Sequence, residues 1–301
     1  IIPLNNTHKW ALTLPLYHIS GIAILFRCFL AQATVVIPPK KQPLKTLITT
    51  HNITHLSLVN TQLEQLLANT TQAPPSLKAL LVGGGPVSPI AIEKGLHQDY
   101  PLYMTYGLTE LSSQVCTKPC KIDDDPNNLP PLPGYTCSIS PNNTLLVKGP
   151  GLCIGYLKDN HLSLKLTLDD WFDTKDRASQ LPNGDICIKG RSDRMFISGG
   201  ENIHPEEIEQ ALLLLPFISQ AAVINIPDNT YGQRPAAFIM STQTITPESL
   251  KKDLQHTLLN FKIPKILFHW PTGMGLKPNY NQLSILATQQ LSLDKGSDNP
   301  S

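Results

Sequence analysis

Between Thr34 and Glu110 short β-branched or aliphatic runs alternate with stretches of helical spacing, and this alternation limits the fold more than any other feature. Thr34-Val-Val-Ile37 closes on Pro38-Pro39 and reads as a buried strand with a stop. Residues 54–59 and 77–82 read as further strands, the second breaking at Gly83-Gly84-Gly85-Pro86, and residues 102–105 as a fourth. Residues 19–30, 61–68 and 89–97 carry helical patterns. Strands that alternate with helices build βαβ units, so this part is expected to be α/β with a mostly parallel sheet.

After about residue 118 the texture changes. Pro, Asn and Asp become frequent, residues 144–148 read as a short strand, and Pro141-Asn-Asn143 and Pro182-Asn-Gly184 supply turns. A β-rich subdomain is therefore expected over residues 118–192, completing a large domain over 1–192. A third texture follows from Asp193. It has a strand at 195–197, a helix opening at Pro205 with Glu206 and Glu207 in its first turn, and strands at 221–226 and 236–240. A helix over 247–259 and a strand over 266–270 follow. That order predicts a small α+β domain over 193–290, and the polar residues 291–301 read as a disordered tail.

Charge narrows the function. With 24 Lys+Arg against 23 Asp+Glu the net charge is +1, which argues against a nucleic-acid or membrane-surface binder. No apolar run approaches the ~18–20 residues of a membrane span. The six cysteines are scattered without a C-x-x-C pair, and Cys116 and Cys120 have no partner pair or His cluster to complete a zinc set. They read as reduced thiols of a cytoplasmic protein. His51 and His55 have the spacing of a zinc-protease helix, but Asn52 stands where its glutamate would be, so no metal site is read there.

Three motifs carry chemistry. Thr105-Tyr106-Gly107-Leu108-Thr109-Glu110 follows a strand, where open α/β sheets bind ligands, and delivers a hydroxyl and a carboxylate together. A hydroxyl can contact a phosphate oxygen and a carboxylate can hold Mg²⁺ against phosphates. Trp171-Phe-Asp173-Thr174-Lys-Asp176-Arg177 leads an aromatic pair into a carboxylate that could accept ribose hydroxyls. Gly190-Arg191-Ser192-Asp193-Arg194 with Ser198-Gly199-Gly200 joins a charged turn, a strand and a glycine pair. Singly, each also reads as a solvated turn.

In this order and spacing the three resemble the signatures of the adenylate-forming superfamily of acyl-CoA synthetases, luciferases and peptide-synthetase adenylation domains. Leu14-Pro15-Leu16-Tyr17-His18 is similar to its aromatic/His motif beside the acyl pocket, and Leu81-Val-Gly83-Gly84-Gly85-Pro86 to its adenine-contacting glycine segment. Within the superfamily, Ser57-Leu-Val-Asn-Thr-Gln62-Leu63, Phe196-Ile-Ser-Gly-Gly-Glu-Asn-Ile-His-Pro205 and Tyr231-Gly-Gln-Arg-Pro235 most resemble the o-succinylbenzoate–CoA ligases of menaquinone synthesis.

The resemblance implies two half-reactions with ATP, Mg²⁺ and CoA: acyl-adenylate and pyrophosphate form first, then the thioester. It implies that Thr109 touches phosphate, Glu110 holds Mg²⁺, and Gly84, Gly85, Tyr106 and Gly107 line the nucleotide. Asp176 would accept the ribose hydroxyls with Arg191 beside it. Lys277, after Gly273-Met-Gly275-Leu276, would neutralise the α-phosphate from a mobile loop, although Tyr280 stands where the family has an Arg. Asp193 matches the hinge of the small domain. Gly199 and Gly200 would let CoA approach the backbone, and His18 would serve the acyl site. Arg27 interrupts an apolar helix and either pairs within the protein, snorkels to water, or holds the free succinyl carboxylate of the substrate.

The family's phosphate loop, rich in Ser, Thr and Gly and ending in Pro-Lys, has no counterpart in residues 1–10. A chain opening at Ile1 is thus expected to be the later part of a ligase, lacking ~150 residues, about one domain, and to adenylate poorly alone. The expected partners are small molecules, namely 2-succinylbenzoate, ATP and CoA; the resemblance also allows a homo-oligomer. A ligase for another aryl or fatty acid and a non-catalytic adenylate-binding remnant are the competing readings.

Overall fold

The computed structural model describes residues 2–39, 42–122, 124–164, 166–167, 169–274 and 278–297, and the chain divides into two compact units, Ile1–Lys189 and Gly190–Ser301.

The first unit opens with β1 (Lys9–Ala11), α1 (Ile19–Ala31), β2 (Thr34–Val36), α2 (Leu44–His51), β3 (His55–Leu58), α3 (Asn60–Ala68), β4 (Ala79–Gly83), α4 (Pro89–His97), β5 (Leu102–Tyr106) and β6 (Cys116–Pro119). Its sheet runs β2-β1-β3-β4-β5-β6, parallel except for β6 against β5. All four residues of β3 are buried, as a parallel strand covered on both faces requires. The α/β fold read from the alternation is thus present. The alternation missed α2, whose buried face is only Leu47 and Ile48 amid Thr and Lys, too narrow a stripe to read.

Glycines set two close approaches that shape the site. A Cβ on Gly21 would lie 2.2 Å from the Pro15 oxygen, so only glycine lets the Leu14–His18 segment fold onto α1. A Cβ on Gly107 would lie 1.5 Å from the Ser113 oxygen, because the loop after β5 doubles back on itself.

The β-rich part lies within the same unit. It comprises β7 (Asn128–Leu129), β8 (Thr136–Ile139), β9 (Thr144–Lys148), the hairpin of β10 (Tyr156–Lys158) and β11 (His161–Ser163), then β12 (Phe172–Gln180) and β13 (Ile186–Arg191). Five of these form a sheet ordered β7-β13-β12-β9-β8. Along β12 the alternation is clean: Thr174, Asp176 and Ala178 are buried, while Arg177 and Ser179 are half-buried on the other face.

The second unit contains β14 (Phe196–Ser198), β15 (Glu201–Ile203), α5 (Pro205–Leu213), β16 (Ile218–Asp228), β17 (Gly232–Ser241), α6 (Pro247–Leu254), β18 (Ile266–His269) and α7 (Tyr280–Ser297). β17 pairs antiparallel with β16 and parallel with β18. Alternation sends Val223, Ala237 and Ile239 into one core with α5 and α6, and Ala222, Ile224, Ala236 and Phe238 into a second core with α7.

Two expectations are corrected. The helix read over 247–259 stops at Leu254, after which Leu258 turns into the core. The tail read as disordered from 291 is helical through Ser297, because Leu291 packs against the core that holds Leu283 and Ala287; residues 298–301 lie outside the described residues. Among the described residues no helix is long and apolar enough to cross a membrane.

Candidate functional site

The carboxyl ends of β4 and β5 turn into Gly83-Gly84-Gly85 and Tyr106-Gly107-Leu108-Thr109-Glu110. Gly83 is required where the two strands close, since its Cβ would lie 2.5 Å from the Thr105 oxygen. Gly84 takes a left-handed φ of 85°, and Gly84 and Gly85 stand exposed. This leaves a stretch of backbone that a planar ligand can approach.

Asp176 reaches the same place from β12. The Tyr106 hydroxyl donates to Asp176 Oδ2 at 2.5 Å, and the Asp176 amide donates to Thr174 Oγ1 at 3.1 Å. Thr174 Oγ1 in turn donates to the Leu145 carbonyl at 2.9 Å, tying the carboxylate to β9. Burial first, and the adjacent Asp176 charge second, push the Tyr106 phenol well above its ordinary pKa, so it stays a donor. Asp176 is buried, which makes the site's carboxylate a fixed acceptor.

Thr109 opens a single 3₁₀ turn, Thr109–Leu111, and is exposed. Glu110, half-buried beside it, accepts from the Tyr156 hydroxyl at 2.6 Å, while its carbonyl accepts from the Cys153 amide at 2.7 Å. Ser112 and Ser113 then take positive φ values of 56° and 97°, strained geometry that forces the loop to return. Gln114 donates to Thr117 Oγ1 at 2.8 Å and bridges the strands beneath.

On α1, His18 is exposed at the helix start with its ring 4.6 Å from that of Tyr17. Arg27 sits over the Trp10 ring at 5.5 Å and has no carboxylate partner among the described residues. Burial lowers its pKa to about 10, so it remains a cation at neutral pH. Among the described residues no hydrogen bond joins His18 or Arg27 to Thr109, Glu110 or Asp176.

In the second unit Arg191 grips Asp193 through two bonds, Nε to Oδ1 at 3.0 Å and Nη2 to Oδ2 at 2.6 Å. The Arg191 bonds hold the Asp193 carboxyl below its ordinary pKa. Gly199 and Gly200 form the β14–β15 turn with φ of 58° and 88°; Gly199 lies under the Tyr231 ring, whereas nothing lies within 4 Å of a Cβ on Gly200. Lys277 lies outside the described residues.

Sequence reading passed over Tyr156 and the buried cluster around Arg194. Arg194 donates to Glu206 at 2.8 Å, to Glu209 at 2.7 Å and to the Val223 carbonyl at 2.9 Å, under the Tyr280 ring at 3.6 Å. Glutamates spaced along α5 after a charged turn were the available signal; burial of Glu209 was not readable.

The sequence pattern of AMP-binding enzymes matches residues 2–157, and that of the AMP-binding enzyme C-terminal domain matches residues 207–271. The chain belongs to the AMP-binding enzyme family. A 2-succinylbenzoate–CoA ligase of Bacillus velezensis is 33% identical over 96% of this chain and 63% of its own length. The structure of an Escherichia coli MenE variant with bound OSB-AMS is similar at a TM-score of 0.87 and 32% identity, covering 96% of this chain and 62% of that one. Bacillus subtilis o-succinylbenzoate coenzyme A synthetase (MenE), in complex with ATP and magnesium ion, is similar at 0.80 and 28%, covering 94% and 62%. This AMP-binding enzyme chain thus spans about three fifths of the length of such relatives.

Proposed function

We propose that this chain carries most of the site of an ATP-dependent acid–CoA ligase that adenylates 2-succinylbenzoate and passes the acyl group to CoA. The observation that carries the reading is the Tyr106–Asp176 pair at the carboxyl ends of the parallel strands, beside the exposed Gly84-Gly85 backbone. A buried carboxylate next to a rigid glycine turn suits a nucleoside, the turn facing the base and Asp176 the ribose hydroxyls. The similar 2-succinylbenzoate–CoA ligases supply the substrate class.

In this reading the substrate carboxylate attacks the α-phosphate of ATP, pyrophosphate leaves, and the CoA thiol then displaces AMP. Thr109 would contact the phosphates, and Arg191 and Lys277 are the cations that the family resemblance implies for this chemistry. Glu110 fits Mg²⁺, which keeps waters and takes one or two carboxylates plus phosphate oxygens; bound there, the ion would offset phosphate charge. Tyr156 would orient that carboxylate. Arg27, a half-buried cation without a carboxylate partner among the described residues, would receive the second carboxylate of the acid, with His18 near the acyl group. Asp193 would be the hinge and Gly200 an open path for CoA. The reaction would run in the cytoplasm, where ATP and CoA are available and all six cysteines stay free thiols, as they are here.

Calorimetric titration with a non-hydrolysable 2-succinylbenzoyl-adenylate analogue tests the reading. Binding that weakens at least tenfold in Asp176→Asn is expected. No binding, or binding indifferent to Asp176, would overturn it.

A further inference from the structure

Beside the β8–β9 turn and the second half of β12, the first unit holds a cavity of about 540 Å³ that the proposed ligase chemistry does not use. Its walls include Arg177, Ser179 and Gln180 of β12, Ser138 of β8, Asn143 in the turn between β8 and β9, and Lys189 of β13. Two cations and four neutral hydrogen-bonding side chains therefore converge on one space, and among the described residues no carboxylate lines it. Arg177 is half-buried, yet among the described residues no carboxylate pairs with Arg177 or Lys189.

Register explains the convergence. Asp176 and Arg177 are successive residues on β12, so Asp176 turns inward to Tyr106 and Arg177 turns to the opposite face. β12 pairs with β9 at Arg177↔Thr144 and β9 with β8 at Ser138↔Leu146, so Arg177 and Ser138 stand on strands separated by β9 alone. The β8–β9 turn folds over them with Asn143 at a φ of 58°, its carbonyl held by the Ala178 amide at 3.0 Å.

We propose that this cavity is a second anion site, taking the phosphate group of a small phosphorylated molecule. A phosphate monoester carries about −1.5 to −2 charges near neutral pH and matches two cations, where a carboxylate would leave one unbalanced. Arg177 offers a planar fork for two oxygens and Lys189 a point charge, while the serines and the amides supply neutral donors. The volume exceeds that of a bare phosphate, so the remainder of the ligand lies along the polar wall. The site shares no lining residue with the nucleotide position.

Isothermal titration of inorganic phosphate into the chain, with ionic strength held constant by sodium chloride, tests this. One saturable event is expected, weakened at least tenfold in Arg177→Gln/Lys189→Gln and about threefold or more in Lys189→Gln alone, whose exposed side chain makes misfolding no issue. Asp176→Asn should leave phosphate binding unchanged while impairing adenylate binding, which separates this site from the proposed ligase site. Absence of saturable binding, or binding that both Gln variants retain in full, would overturn the proposal.

Discussion

The Tyr106 hydroxyl and the Asp176 carboxylate, 70 residues apart in sequence, meet in a hydrogen bond of 2.5 Å. The bond joins the end of a parallel strand to the middle of an antiparallel one. It thereby fixes a buried acceptor at the edge of a glycine turn. Removing the donor in Tyr106→Phe takes one bond from a buried carboxylate, a loss of about 1–3 kcal/mol. Urea denaturation should show that loss, and adenylate-analogue affinity should fall roughly tenfold, the equivalent of ~1.4 kcal/mol. Unchanged affinity would separate Tyr106 from the nucleotide.

On the proposed function, Arg27 is expected to discriminate among acid substrates. In an enzyme extended to the family's full length, Arg27→Ala should lower kcat/KM for 2-succinylbenzoate by about 10- to 150-fold, since a charge-assisted bond to a carboxylate is worth roughly 1.5–3 kcal/mol. Benzoate, lacking the second carboxylate, should change little. Equal losses for both acids would favour a ligase for another aryl or fatty acid.

The second unit depends on Arg194. Burial pushes the Glu209 carboxyl up against the pull of Arg194, and Glu209 is fully buried. Arg194→Met would leave that carboxylate and Glu206 without their cation, at a cost of about 3–5 kcal/mol. Hydrogen exchange of α5 and β16 should accelerate accordingly, while Asp193→Ala, at the exposed end of the same turn, should leave exchange nearly unaltered. Slow exchange in Arg194→Met would contradict the role given to the cluster.

His55 makes the first unit acid-sensitive. It is fully buried, with Nε2 2.9 Å from the Pro3 carbonyl and Nδ1 2.7 Å from the Thr54 hydroxyl, and burial lowers its pKa from 6.5 to about 4. Between these values the unfolded chain binds a proton that the folded chain refuses. Stability is therefore retained above pH 6.5 and lost as pH falls toward 4, by roughly 3 kcal/mol in all at ~1.4 kcal/mol per unit. Denaturation midpoints measured from pH 7.5 to 4.5 should fall along that course in the parent chain and more gently in His55→Gln. Parallel curves would rule His55 out as the cause.

Sequence reading located the strands that feed the site because β4 is a short apolar run and β5 a short aliphatic and aromatic one, each ending at a glycine turn, signals that depend on local backbone chemistry. It placed Thr109 and Glu110 correctly after β5 for the same reason. It missed α2 and α7, whose buried stripes are narrow and diluted by Thr, Gln and Ser. It also gave Glu206 and Glu207 only the value of first-turn acids and gave Glu209 no role, since the burial of Glu209 depends on β16 and α7 folding over it.

What the sequence by itself determined was the order of elements, the glycines that permit Gly107 and Gly21 to approach other backbone, and the resemblance that named a family. Periodicity and steric exclusion are properties of neighbours along the chain, and they are readable there. Which side chains meet is another matter. That Tyr106 holds Asp176, that Tyr156 reaches Glu110, and that Arg177 faces away from both are consequences of strand order and register. A one-residue step along a strand reverses a side chain's face, so only the tertiary structure could decide that Asp176 and Arg177 serve opposite sides of one sheet.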